Sequence, residues 1–317
     1  MRDSVDVIIP FAGSHAEFME MMVRLRSLEL GPQDSLTLVD NTRRGVADSL
    51  RHTSSCRVVA AHERQSSYYA RNRGAAGGRG TWLLFLDADV LAVPDLIDRY
   101  LTVPPGSRTG FLVGGVHDAR SVGGQQESIA SRYSRLRRLI DQANTLQMRR
   151  PYAKTANCLV RRDAFERVDG FADDVRSGGD ADLCFRLQSA GWDFEVRPDA
   201  VVEHRSRRRV VDLLAQRSRH GSGAEWLEQR YAGFVGPRLG MLRVVRSIVG
   251  GTTRSFVSYC SGDIDGAILN FLDPLSNAAF EIGRRVPNAT WRELYGRPLA
   301  PPQRWMLAVR QSLGVAE

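Results

Sequence analysis

An α/β fold, with a mostly parallel sheet, flanking helices and a C-terminal helical region, follows from three observations on this 317-residue sequence. Apolar strand-like runs alternate with helical spacing in the N-terminal part of the chain. Five apolar residues, Trp82-Leu83-Leu84-Phe85-Leu86, run without a polar break, as a strand buried on both faces of a sheet requires. The segment before them carries small residues at helical spacing (Ala70, Gly74, Ala75, Gly77), which lets a helix lie close on that sheet.

The elements follow in order. A strand is expected over 5–10, then a helix over 16–30 with apolar Phe18, Met21, Met22, Leu25 and Leu28 on one side. Ser14 and Glu17 supply a capping box at its start. Strands over 36–40 and 57–61, a helix over 67–78 and the strand over 82–86 complete an alternation typical of parallel sheets. From 119 to 150 the chain turns polar and arginine-rich, reading as a helical insertion beside the sheet. A strand over 156–160, a helix over 162–168 and the turn Asp169-Gly170-Phe171 come next. Leu183, Leu187 and Ala190 share a helical face that Gly191 is placed to cap. Beyond His204 the pattern is helical, and the scattered Gly and Pro predict several short helices. The boundaries expected are a sheet domain over 1–205 and a helical region over 206–317, the latter for acceptor binding, closure or membrane-surface contact.

Composition excludes some classes. Hydrophobic content of 43% and charged content of 25% are ordinary for a globular chain. No apolar run approaches the roughly 20 residues of a membrane helix, and residues 1–9 lack a signal-peptide pattern. A cytoplasmic protein is expected, with possible peripheral contact at the inner face of the membrane. Cys56, Cys158, Cys184 and Cys260 are far apart, which favours reduced thiols over a disulfide framework. Net charge is +8, and Lys154 is the only lysine. Arginine grips phosphate bidentately, which suits a nucleotide or an anionic lipid surface; a bias towards arginine codons gives the same count.

Chemistry concentrates at a few points. Asp87 and Asp89 follow the buried run, and open α/β sheets bind ligands at the C-terminal rim of their strands. Two carboxylates there repel each other unless a cation sits between them and a ligand, so a divalent metal with a phosphate is the natural occupant. Asp40 ends another strand, where it serves either a base N–H or ribose hydroxyl, or a turn. Arg71 lies on the next helix, an ordinary surface residue unless that helix flanks a diphosphate. Asp180 and Asp182, after the flexible Gly178-Gly179, sit at a helix N-terminus. There the dipole favours an ionised carboxylate, as either a helix cap or a general base needs.

The order of these motifs resembles the family-2 glycosyltransferases, inverting enzymes with a nucleotide-diphosphosugar fold of the GT-A type, Rossmann-like in its sheet. The resemblance covers about residues 5–204 and rests on six segments in order. They are Val7-Ile8-Ile9-Pro10, Leu38-Val39-Asp40-Asn41, Ala70-Arg71-Asn72-Arg73-Gly74, Phe85-Leu86-Asp87-Ala88-Asp89, residues 157–162 with Gly170-Phe171, and Gly179-Asp180-Ala181-Asp182-Leu183. It implies that Pro10, Ala12 and Asp40 line a base pocket, that Arg71 lies near the nucleotide, and that Asp87 and Ala88 meet the ribose and sugar side. It further implies that Asp89 binds Mn²⁺ or Mg²⁺ across the two phosphates, with His204 either completing the shell or packing as a strand-end residue. Asp180 matches the catalytic base, with Asp182 its rival. Gly179 stands where the family usually has Glu, which puts the acceptor contacts of that Glu in doubt. The donor implied is a nucleotide-diphosphosugar, a UDP-sugar first; the acceptor is a glycan, a lipid-linked species or a small molecule.

Two other readings compete. A haloacid-dehalogenase-type phosphohydrolase also places Asp-x-Asp after an apolar strand. It expects that motif near the N-terminus, Thr or Val at 91 where Leu91 stands, and Lys154 in the site. A non-enzymatic binder of nucleic acid or membrane surface would use Arg205-Ser206-Arg207-Arg208-Arg209, but no nucleic-acid motif accompanies that run.

Overall fold

The computed structural model of the chain describes residues 2–43, 45, 56–119 and 127–289. Alternation of apolar runs and helices builds β1 (Val5–Phe11), α1 (His15–Leu25), β2 (Ser35–Asp40), β3 (Arg57–Ala60), α2 (Ser67–Ala75) and β4 (Trp82–Leu86). The chain continues through β5 (Val90–Ala92), α3 (Leu96–Leu101), β6 (Thr109–Asp118), α4 (Ile129–Leu136) and α5 (Ala143–Leu146). Then come β7 (Asn157–Arg161), α6 (Arg162–Arg167), α7 (Gly179–Ser189) and β8 (Asp193–His204), followed by α8 (Val210–Arg230), α9 (Met241–Cys260) and α10 (Ile264–Gly283).

The eight strands form one sheet in the order β3-β2-β1-β4-β7-β6-β8-β5. Pairing is parallel from β3 through β4 and between β6 and β8, and antiparallel where β7 and β5 join. Side chains alternate across a strand, so β4 feeds two cores. Trp82, Leu84 and Leu86 join Ile9, Phe18, Leu96 and Tyr100 on one face. Leu83 and Phe85 join Ile8, Ala70, Phe165 and Leu187 on the other. The uninterrupted apolar run is thus the signature of a strand covered on both sides. α2 is drawn tight to the sheet through its small face, and a Cβ on Gly74 would lie 2.6 Å from Ile8 Cγ2. The capping box is present: Ser14 N donates to Glu17 at 2.7 Å and Glu17 N to Ser14 Oγ at 3.3 Å.

Three strands carry no comparable run. β6 has Gly114-Gly115 in its middle, β8 contains Pro198, and their register shifts at that glycine pair. β5 is three residues long and has β8 as its one strand partner among the described residues. The helical tail also departs from its expectation, forming helices of 20 and 21 residues in place of several short ones. Its glycines are crossing points, not breaks. A Cβ on Gly221 of α8 would stand 2.0 Å from Phe280 O of α10, and one on Gly283 of α10 would stand 1.8 Å from Ser218 O of α8. Pro274 lies inside α10 against Gly251 of α9. α10 is therefore the middle layer, between α8 and α9. No helix among the described residues is long and apolar enough to cross a membrane.

Overpacking such a crossing costs about 1–3 kcal/mol. Gly283→Val should lower stability by about that much in a denaturant titration, whereas Gly240→Ala, which meets nothing within 4 Å, should stay within about 0.5 kcal/mol.

Candidate active site

Parallel pairing brings the C-terminal ends of β1, β2 and β4 to one rim, and β8 reaches it too, because two antiparallel steps (β4 to β7, β7 to β6) restore the direction. Phe11 is paired with Asp40, so Pro10, Ala12 and Asp40 fall together at this edge. Asp40 is buried, and its Oδ1 accepts from Thr42 N at 2.9 Å and Thr42 Oγ1 at 2.6 Å. The side chain thus closes a turn that fixes its own orientation. Pro10 is half-buried and Ala12 exposed, leaving an open surface beside it.

β4 stops at Leu86, and the chain reverses through Asp87-Ala88-Asp89 into β5. Arg24 Nη2 donates to Ala88 O at 2.8 Å and Arg205 N to Asp89 O at 3.1 Å, which pins the turn. Antiparallel pairing of Val90 with His204 then sets the imidazole beside Asp89, with Nε2 3.3 Å from Oδ1. Ligand atoms of Asp87, Asp89 and His204 all lie within 4.8 Å of one another. His204 is buried and its Nδ1 has no hydrogen-bond partner.

Arg71 reaches the same rim from α2. Its guanidinium is buried, donates to Asp87 Oδ1 at 2.5 Å and stands 5.8 Å from the centre of the Tyr68 ring. Removing an arginine from water is tolerated when a carboxylate and an aromatic face replace the solvent. Tyr68, three residues earlier and so on the same helix face, donates from Oη to Asp180 Oδ1 at 3.3 Å. Asp87, Arg71, Tyr68 and Asp180 thus form one connected row.

The residue at the N-cap of α7 is Gly178, with φ of 85° and no capping side chain, so neither aspartate is the helix cap. The two part company at this point. Asp180 is partly accessible and accepts from Ala181 N at 3.1 Å. Burial pushes its carboxyl pKa above the usual range, and the Ala181 N–H and the charges of Arg71 and Lys154 pull it partly back. Asp182 is fully buried, with Oδ2 2.8 Å from Arg186 and Oδ1 accepting from Tyr231 Oη at 2.8 Å. Arg230 stands 3.6 Å away. Asp182 therefore ties α7 to the end of α8.

Lys154 donates to Leu139 O at 3.1 Å and Asp141 O at 2.7 Å. Burial lowers its pKa to about 8 against the pull of Asp180 and other acids. Arg219 of α8 has no acidic partner among the described residues; it lies within electrostatic reach of Asp87 and Tyr68, with Arg176 and Arg207 beside it. Tyr68 is not singled out in the sequence, and of this arginine group only Arg207 is, within the basic run 205–209. The first is signalled only by its helical spacing from Arg71, and the second joins three separate segments, which no spacing reveals.

The chain belongs to glycosyl transferase family group 2, whose model matches residues 82–269. It is therefore an enzyme that transfers a sugar from a nucleotide sugar. The glycosyltransferase AglE of Haloferax volcanii is 29% identical over 231 residues, covering 69% of this chain and 72% of that protein. A pre-mycofactocin glycosyltransferase of Mycobacterium tuberculosis is 26% identical over 72% of this chain; the matched region is 48% of that longer protein. Among solved structures, the mannosyltransferase PcManGT of Pyrobaculum calidifontis, in complex with GDP-Man and Mn²⁺, covers the whole chain and 82% of its own. Its TM-score is 0.55 at 15% identity. Glucosyl-3-phosphoglycerate synthase of Mycobacterium tuberculosis, with Mn²⁺, UDP and glucosyl-3-phosphoglycerate, gives 0.50 at 17% identity over 75% of this chain and 83% of its own. These likenesses establish the GT-A fold, and the family sets aside both the phosphohydrolase and the non-enzymatic readings.

Breaking a buried ion pair from one side costs about 3–5 kcal/mol, so Asp182→Ala should lower the unfolding free energy by that order in a denaturant titration. Tyr231→Phe, which removes one hydrogen bond to the same carboxylate, should cost only about 1 kcal/mol.

Proposed function

We propose that this enzyme is a metal-dependent inverting glycosyltransferase that moves a sugar from a nucleotide-diphosphosugar to an acceptor hydroxyl in one displacement. The grouping of Asp87, Asp89 and His204 at the rim carries the reading. Two carboxylates and one imidazole suit Mn²⁺ or Mg²⁺: the donors are mostly hard oxygen, and so partial a set leaves positions for phosphate oxygens and water. The buried, unpartnered His204 Nδ1 marks an imidazole whose other nitrogen, Nε2, is the one turned towards Asp89. Bound there, a divalent cation would offset charge that builds on the departing diphosphate.

The remaining work falls to the chain. Asp40, with Pro10 and Ala12 at the open end of β1, receives the base. Arg71 holds Asp87 oriented towards the ribose and sugar side, next to Ala88. Arg176, Arg207 and Arg219 add positive charge on the α8 side, where an anionic leaving group lowers their mutual repulsion. Asp180 takes the proton of the attacking hydroxyl through its carboxylate. Its environment suits that role, because a base held above the ordinary carboxylate range binds the proton more firmly. Asp182, with both oxygens engaged, positions α7 and does not act as the base. The unit over 1–205 supplies the donor site, and the region over 206–317 closes over α7 through Leu227 and Tyr231. A UDP-sugar is the first donor to test, and the acceptor class spans glycans, lipid-linked species and small molecules. Four free cysteines suit work in the cytoplasm.

Thermal shifts across a panel of nucleotide sugars with Mn²⁺ test the donor site, since a ligand of the folded state raises apparent stability. One donor should stabilise the wild type, and Asp89→Ala should abolish the Mn²⁺-dependent part. Asp180→Asn should keep the shift and lose transfer by about 10²-fold or more; normal transfer by that variant overturns the assignment of the base. Because Asp180 must be deprotonated to act and its pKa is raised, kcat/KM should fall on acidification through a pKa above the ordinary value of about 4.

A further inference from the structure

We infer that the outer face of α9 is a docking surface for an anionic lipid bilayer, which it meets lying flat. α9 turns Val244, Ile248, Gly251 and Ser255 inward, with Ser255 Oγ donating to Ala267 O of α10. The opposite arc is apolar and open to solvent: Leu242, Val245, Val249, Phe256, Val257 and Tyr259, with Leu242 and Val249 each 63% exposed and Phe256 69%. At 100° per residue these side chains fall on one side of the helix, with Thr252, Thr253 and Arg246 among them and Arg243 and Arg254 beyond Val257 along one flank. α9 contains no acidic residue, and none of these three arginines has an acidic partner among the described residues. The acids of the neighbouring α10 are taken: Asp265 by Arg132, Asp273 by Arg137, Glu281 by Arg284 and Arg285.

A mainly apolar arc with one long arginine inside it, two at its border and no opposing charge is the pattern of a helix that sinks its apolar side to the headgroup–acyl boundary while its arginines snorkel to lipid phosphate. A second copy is the poorer occupant, because it would bring six arginines into an interface to which neither α9 contributes an acid. The layering agrees: α8 seats on the Gly178 turn that precedes Asp180, α10 covers α8, and α9 covers α10. Docking through α9 thus leaves the catalytic rim on the other side of that stack. This surface stands apart from the donor reading, and its test is separate.

The full-length protein is sedimented with vesicles of phosphatidylglycerol or of phosphatidylcholine at low salt. It should bind the first at least about tenfold better, and the preference should fade as ionic strength rises. Val249→Asp with Phe256→Asp should cut that binding about tenfold or more while the unfolding midpoint and any nucleotide-sugar stabilisation stay unchanged. Arg243→Gln, Arg246→Gln and Arg254→Gln together should abolish the preference for the anionic lipid. Native Cys260, exposed at the end of the same arc, should react with a soluble maleimide in free protein and be shielded by phosphatidylglycerol. Four results overturn the inference: no binding to anionic vesicles, binding that survives the two aspartates, a solution dimer that they dissociate, or Cys260 already shielded without lipid.

Discussion

The pairing of Val90 with His204 is the contact on which the rest of the site depends. Asp87 and Asp89 leave a strand in the middle of the sheet, and His204 ends a strand three positions away in the same sheet. They meet because the chain doubles back after Asp89 into a three-residue strand that can pair only with the end of β8. An edge strand of that length has little stability of its own; the Arg24 and Arg205 hydrogen bonds to the turn carbonyls hold it in register. A slip of one residue would turn His204 to the opposite face.

Charge distribution follows from that meeting. Two carboxylates and a buried imidazole on one rim would be unstable without compensation, and Arg71 supplies it from below through Asp87. Arg71 is itself buried and leans on the ring of Tyr68, whose hydroxyl reaches Asp180. The proposed base and the proposed metal ligands are thus joined by a row of three contacts through one helix. α2 occupies that place because its glycine and alanines let it approach the sheet more closely than a helix with larger side chains could.

Legibility in the sequence tracked locality. Asp87 and Asp89 were plain because a doubly covered strand must be apolar throughout, so the first charges after it mark its end. The capping box and the small-residue face of α2 depend on residues within one or two turns, and both are present as read. His204 was left open between ligand and strand-end packing because β8 carries a proline and mixed burial, and its pairing with β5 lies 114 residues away in sequence. The resemblance matches Asp180 to the base, but the residues alone keep Asp182 its rival for a similar reason. What separates them is Tyr231, on a helix whose path cannot be deduced from α7. The tail was misjudged because glycine within a helix means weakness when nothing crosses it and close packing when another backbone does.

A net charge of +8 says little until the arginines are sorted by partner. Many are spent on acids within the fold, such as Arg162 on Asp6, Arg186 on Asp182 and Arg284 on Glu225. Two groups are not. Arg219 lies within electrostatic reach of Asp87 with Arg176 and Arg207 near it, and Arg243, Arg246 and Arg254 lie in and beside the apolar arc of α9. Arg176 and Arg207 repel Arg219, and an anion bound among them recovers that cost. On the proposed reading the first group meets the donor diphosphate and the second meets lipid phosphate.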